Sequence, residues 1–383
     1  MKILMISKCP THPTTAGNRW GILAMCKILS QLGCDVHFLY IDERPILSDF
    51  SDNNEEYLQT KSFWGFNFHV CKVSRWQKML KNIISKYRQY FCANHQGLYD
   101  EYPGGLTKTV KKLQNDYNFD ICIINYIYLA KLFKYIHFKK KAIFTHDAFA
   151  YKNIAVNEPC PWYDAHQEAL ALQLCSDVFA VQDEEEHYFH ILSPKSNLYN
   201  IYSKYEYCSQ SIVGNKNILF LSGSNEYNQN GLRWFVNEVY PKIQHLHPDA
   251  KLLVAGGICG AVKDIENIPG VELKGFIGNP SDFYALGDVA INPTFQGTGL
   301  KIKTFESIAN DKVTMVHPHS KAGVFRVNEA PLFSSDKPEE WVAFLDKIWS
   351  NKDMIRKIKD ANKVYLANMN DFIIKEYKRF LQI

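Results

Sequence analysis

The residues best placed to do chemistry lie together in Phe295-Gln296-Gly297-Thr298-Gly299-Leu300-Lys301-Ile302-Lys303-Thr304-Phe305-Glu306. The run follows a strand-like stretch ending Ile291-Asn292-Pro293 and opens a helix-like one, so it reads as a Gly-rich turn at a helix N-terminus. Such a turn offers unpaired backbone N–H groups and the positive end of a helix dipole to an anion. Gly297 and Gly299 let the backbone approach a ligand closely. Lys301 adds a cation within reach, Lys303 rivals it for that role, and Glu306 adds a carboxylate further along. A phosphate at one end and a pair of hydroxyls at the other would suit this layout, which describes a sugar nucleotide. The plainer alternatives are a solvated surface lysine at 301 and a glutamate at 306 that is merely favoured by the dipole.

The elements that must hold this turn alternate between strand and helix. Residues 2–6 and 35–41 read as strands around a helix from Gly17 to Leu32, and short apolar runs recur at 119–126, 141–146, 177–182 and 197–202. A fresh start follows at Asn217-to-Gly223, then strands at 251–255, 271–276, 288–292 and 312–317. Leu232, Phe235, Val236, Val239, Tyr240, Ile243 and Leu246 mark one face of the helix after the first of these. This grammar predicts α/β architecture: two doubly wound, Rossmann-like domains with parallel sheets covered on both faces. The boundary is expected in the polar stretch 203–216, giving domains 1–205 and 206–365, with a C-terminal helix at about 366–383 crossing back to the first. Ligands of such sheets bind beyond the C-terminal ends of the strands, here in a central cleft.

Composition narrows the classes. A chain of 383 residues fits two domains. With 46% apolar and 22% charged residues it is globular, and a net charge of +4 implies no general affinity for nucleic acid. The ten cysteines show no Cys-x-x-Cys pair and read as reduced thiols of a cytoplasmic protein. The N-terminal apolar run is too short for a signal peptide, and no run is long enough to span a bilayer. No Asp-x-Asp triplet occurs, which argues against a metal-held diphosphate. His187 with His190, and His317 with His319, lack a third ligand, so no metal is expected.

Over nearly its full length the chain resembles the GT-B glycosyltransferases, specifically the large retaining family numbered four. The likeness is carried by the Thr15-Ala16-Gly17-Asn18-Arg19 loop, Phe144-Thr145-His146-Asp147, Glu168-to-Asp183, Ile218-to-Ser224, Gly275-Phe276-Ile277-Gly278 and Pro293-to-Glu306. It implies that the second domain binds a nucleotide-sugar and the first the acceptor. Glu306 would accept from both ribose hydroxyls, and Lys301 would pair with the diphosphate as the sugar–phosphate bond breaks. Gly17, Gly223, Gly297, Gly299, Leu300 and Lys303 would approach the donor, while Phe276 and Ile277 would hold the base edge through backbone groups. His146, at a strand end, would bond a hydroxyl of the donor sugar. Its alternative is a structural histidine.

Two departures stand out. Many members carry a second Glu eight residues before the ribose Glu, where this chain has Thr298, so Thr298 or nearby backbone N–H groups must serve the transferred sugar. Members also often have a Lys-Gly pair after the first strand of the donor domain, and here Asn228-Gln229-Asn230-Gly231 shifts the phosphate burden to Lys301 and Lys303. The resemblance implies a metal-independent hexosyl transferase with no cofactor beyond its nucleoside-diphosphate-sugar donor. Its acceptor would be a glycan or lipid-linked saccharide in bacterial surface polysaccharide synthesis, such as lipopolysaccharide, capsule or exopolysaccharide. A sugar-nucleotide epimerase and a non-catalytic scaffold are the rivals.

Finally, Arg75–Arg88 places Trp76, Met79, Leu80, Ile83, Ile84 and Tyr87 on one helical face, and Lys61 to Phe91 contains no acidic residue. A basic amphipathic helix suits an anionic membrane surface, which would make the protein peripheral at the inner face of the cytoplasmic membrane. The alternative is a core-facing helix with a solvated basic face.

Overall fold

Runs such as Ile3-Leu4-Met5-Ile6, with no exposed surface, can be continuously apolar only in strands covered on both faces. The computed structural model describes residues 1–14, 17–43, 55–73, 76, 79–80, 82–84, 86–87, 98, 101–150, 163–297 and 300–383. Two units emerge, Met1–Ser203 with Ile373–Ile383, and Lys204–Phe372.

The first unit holds β1 (Lys2–Ser7), β2 (Asp35–Asp42), β3 (Phe68–Lys72), β4 (Ile121–Asn125), β5 (Lys140–Phe144), β6 (Asp177–Ala180) and β7 (Asn197–Asn200). They form one sheet in the order β3-β2-β1-β4-β5-β6-β7, every neighbouring pair parallel. The second unit holds β8 (Asn217–Leu221), β9 (Lys251–Ala255), β10 (Val271–Leu273), β11 (Val289–Asn292), β12 (Val313–Val316) and β13 (Leu332–Ser334). Their order is β10-β9-β8-β11-β12-β13, again all parallel. In each sheet the winding reverses once, between β1 and β4 and between β8 and β11. Loops leaving those strands therefore splay apart and leave room for a ligand. Two of the four edge strands, β3 and β13, went unread in the sequence, since both are mostly half-buried and lack a continuous buried run.

The helix expected along Leu232–Leu246 is interrupted. An α-helix at Glu226–Trp234 passes through a π turn at Phe235–Val239 into a helix at Tyr240–Leu246. Pro241 has no N–H to donate back along the helix, and the wider turn absorbs that defect. The expected apolar face is buried except for Leu246, the last helical residue.

The polar stretch before β8 has no regular structure, yet it is held. Asp288 accepts from the Val213 and Gly214 amides at 3.0 and 2.7 Å, and Asp311 accepts from Gln210 N at 3.2 Å. Tyr205 and Asn370 exchange two hydrogen bonds, N–H to Oδ1 at 3.3 Å and Nδ2–H to O at 2.7 Å. Those bonds keep Tyr205 and the helix up to Phe372 within the second unit, so the breaks fall at 203/204 and 372/373.

A polar pair, His37 buried and His69 half-buried, ties the edge of the first sheet. His37 Nδ1 on β2 and His69 Nε2 on β3 lie 2.9 Å apart, and His37 Nε2 is 3.4 Å from Asp35. Tyr117 and Phe119 pack edge-on against His37. Burial pushes His69 down to about 4, and the adjacent His37 adds to the shift. The folded state thus binds fewer protons than the unfolded one between that value and the ordinary ~6.5. Stability should fall as pH drops through this window. In urea melts at pH 4.5 to 7, His69→Gln should reduce that slope, and parallel slopes for variant and parent would remove His69 as its source.

Candidate functional site

In the second unit the chemistry gathers beyond β11, one of the two strands at the winding reversal. Gly297 has φ 93°, and a Cβ there would sit 3.1 Å from the Tyr227 ring, so both backbone conformation and space call for glycine. The loop is fastened from β12. Ser320 Oγ donates to Thr294 O at 2.6 Å, and His319 Nε2 donates to Gly297 O at 2.7 Å. His317 Nδ1 accepts from His319 N at 3.2 Å. His317 and His319, considered above as ligands, are thus committed to shaping the loop, a role that loop-to-loop packing alone reveals. His187 bonds Asp183 O within its own helix. Among the described residues no three His, Cys, Asp or Glu side chains gather as metal ligands.

Lys301 precedes the helix Ile302–Ala309, and its Nζ donates to Gly297 O at 3.2 Å. Lys303 Nζ donates to Asn228 Oδ1 at 2.6 Å and to Thr294 Oγ1 at 3.4 Å. Burial lowers this lysine to about 8, nearby Lys301 pushes it the same way, and Glu306 opposes both. Glu306 is raised to about 7 by burial, partly offset by Lys303. No protein hydrogen bond reaches the Glu306 carboxylate among the described residues. A carboxylate that is largely out of water and unpartnered is costly unless a ligand completes it.

The departure at 228–231 has a structural counterpart. Asn225 caps the helix Glu226–Trp234 by accepting from Asn228 N. Asn228 Nδ2 donates to Gly223 O at 3.1 Å, which turns Oδ1 toward Lys303. Asn230 Nδ2 reaches Gln296 Oε1 in the loop at 3.3 Å. At Gly231 a Cβ would lie 2.7 Å from Thr294 Cα, so only glycine lets this helix meet the loop. Gly223 contributes its carbonyl rather than bare space. Leu300 is described, whereas Thr298 and Gly299 lie outside the described residues. Phe276 and Ile277 follow β10. Phe276 is 80% exposed, Ile277 packs on the Leu219–Leu253 cluster, and Gly275 O accepts from Gly256 N at 2.8 Å.

In the first unit, Gly17 opens the helix Gly17–Gln31, behind Thr15 and Ala16, which lie outside the described residues. The next residue, Asn18, donates to Tyr126 OH at 3.1 Å. His146 follows β5 with φ 65°, its Nε2 2.8 Å from Asn125 Oδ1. Burial holds its imidazole down at about 3.

Residues 215–351 match the family Glycosyl transferases group 1. Solved structures match essentially the whole chain. Sucrose-phosphate synthase from Thermosynechococcus elongatus has a TM-score of 0.67 at 12% identity, covering 100% of this chain and 98% of that one. HepE from Anabaena, solved in complex with UDP, has 0.65 at 12%, covering 99% and 100%. The fold is GT-B. Within it, the stretch that matches glycosyl transferases group 1 covers the second sheet and the loop with Lys301, Lys303 and Glu306. An uncharacterized 44.6 kDa protein in the cps region of Klebsiella pneumoniae is 22% identical over 348 residues, 81% of each chain.

The geometry predicts an unusual titration in this GT-B domain. With 13C-carboxyl-labelled Glu, NMR should show Glu306 changing state near pH 7, and Lys303→Met should move that midpoint upward because it removes the stabilising cation. A midpoint at the ordinary ~4.3, or one unmoved by Lys303→Met, would contradict the arrangement.

Proposed function

We propose that this GT-B protein transfers a hexose-type sugar from a nucleoside diphosphate to a glycan or lipid-linked saccharide. The observation that carries the reading is the Glu306 carboxylate, without a protein hydrogen bond among the described residues, behind a loop that ends at Lys301 and a helix start that bears Lys303. Glu306 accepts from the two ribose hydroxyls. Lys301, Lys303 and the positive end of the helix Ile302–Ala309 receive the diphosphate. As the C1–O bond to the diphosphate breaks, these cations stabilise the charge that develops on the leaving phosphate. A phosphate oxygen then takes the proton from the acceptor hydroxyl as its oxygen bonds C1 from the same face, so configuration is retained. Neither a metal nor a cofactor is required in this scheme.

The UDP found with HepE and the cps-region location of the Klebsiella relative support a nucleotide-sugar donor and a role in capsule or related surface polysaccharide synthesis. Binding at the inner face of the cytoplasmic membrane, by anionic lipid, belongs to the same reading. Among the described residues no helix is long and apolar enough to cross a membrane. Trp76, at 72% exposed, and Met79, Leu80, Ile83, Ile84 and Tyr87 present apolar surface, while Arg75, Lys78, Lys81 and Arg88 supply basic charge but lie outside the described residues. Such side chains fit a lipid interface better than a protein core.

Incubation with a panel of nucleotide-sugars tests the chemistry. Release of nucleoside diphosphate supports the transferase, interconversion of sugars would favour an epimerase, and neither would favour a scaffold. Lys301→Ala should lower turnover by a larger factor than donor affinity, since its contact strengthens as the bond breaks. Equal losses would mean that it binds phosphate uniformly. On vesicles containing phosphatidylglycerol, Lys78→Glu with Lys81→Glu should abolish sedimentation with lipid, and undiminished binding would end the membrane reading.

A further inference from the structure

Two residues at the ends of β4 and β5 are held in backbone conformations that side chains resist. Tyr126 has φ 73° and ψ 148°, a region almost reserved for glycine, and His146 has φ 65°. Such strain persists where surrounding structure over-determines it, and it concentrates at working sites. Here the two rings stack, with centroids 4.5 Å apart and 28° between planes, and Phe144 lies 3.9 Å from the imidazole on the strand side. Tyr126 is anchored at its far end by Asn18, which donates to its hydroxyl at 3.1 Å.

Asn125, the last residue of β4, is fully buried. Its Nδ2 donates to Ile6 O at 2.9 Å, and a carbonyl oxygen can only accept, so the amide orientation is fixed independently of the histidine. Oδ1 must then face His146 Nε2 at 2.8 Å. An amide oxygen is also an acceptor, so Nε2 carries the proton and Nδ1 is a bare lone pair. No protein hydrogen bond reaches Nδ1 among the described residues, and it is not sealed from solvent.

We propose that Asn125 is a positioning residue that locks His146 in the Nε2–H tautomer, so that Nδ1 accepts from a hydroxyl of the substrate. The identity of that hydroxyl as a sugar's rests on the transferase reading, whereas the tautomer does not. Two consequences follow from the chemistry. His146 cannot donate a proton through Nδ1, so it orients rather than acts as an acid. A carboxylate or phosphate oxygen placed against Nδ1 would meet lone pair with lone pair. The site therefore selects a substrate that presents O–H, or an amide N–H, at this point, and disfavours an acidic sugar there.

The experiment is a long-range 1H–15N correlation spectrum of the full chain labelled with 15N-histidine, with His146 assigned by its absence in His146→Gln. The expected result at neutral pH is a neutral ring with a protonated Nε2 and a pyridine-type Nδ1. A protonated Nδ1, or a doubly protonated ring, overturns the proposal, and this measurement on the parent protein needs no variant to fold. In folded Asn125→Ala, or Asn125→Ser if the alanine variant is unfolded by circular dichroism, the tautomer should become mixed. Turnover should then drop by about 10- to 100-fold, the scale for partners that orient a working histidine, with donor affinity little changed. A mixed tautomer with unchanged turnover would overturn the positioning role. The expected tautomer in a protein that turns over no nucleotide-sugar would sink the transferase reading and leave the hydrogen-bond assignment standing.

Discussion

An ammonium group held largely out of water must be supplied with acceptors, and most of the local structure around the Gly-rich loop follows from how Lys303 is supplied. Its partners are the Asn228 side-chain oxygen and the Thr294 hydroxyl. Asn228 can serve only because the Gly223 carbonyl takes its amide nitrogen and Asn225 caps its helix. Thr294 can serve only because Gly231 lets that helix come against the loop backbone. A lysine at 228 would set two like charges side by side.

Much of the fold was legible because a parallel sheet covered on both faces writes itself as continuous apolar runs. Eleven strands were read from the sequence, and the two that were missed, β3 and β13, are mostly half-buried and so leave no continuous apolar run. The π turn at Phe235–Val239 was hidden because Pro241 could be read as an ordinary break. In the site, Gly297, Lys301, Lys303 and Glu306 were visible as a single motif. His319, Asn228 and Ser320 were not, since each acts by touching a segment distant in sequence. His146 was visible by position, but its protonation pattern depends on Asn125 and on the Ile6 carbonyl, and only tertiary pairing brings these three distant residues together.

The two halves handle charge differently. In the second unit, Lys303 and Glu306 are shifted toward neutrality and toward each other, so small changes in surroundings alter their protonation. In the first unit the Asn125–His146 pair and the stacked Tyr126 ring are uncharged and fixed, with strain in place of charge. One arrangement suits a polyanionic ligand, the other the orientation of uncharged hydroxyls.

The pair of hydrogen bonds between Tyr205 and Asn370 has a topological meaning. The second unit is a single uninterrupted length of chain, Lys204–Phe372, and these bonds bring its entry and exit side by side. A segment whose ends meet can be inserted into, or lifted from, a host chain without opening either core. In those terms the second unit is a cassette within the first, and the long helix Lys352–Leu381 is the seam through which the host sequence resumes.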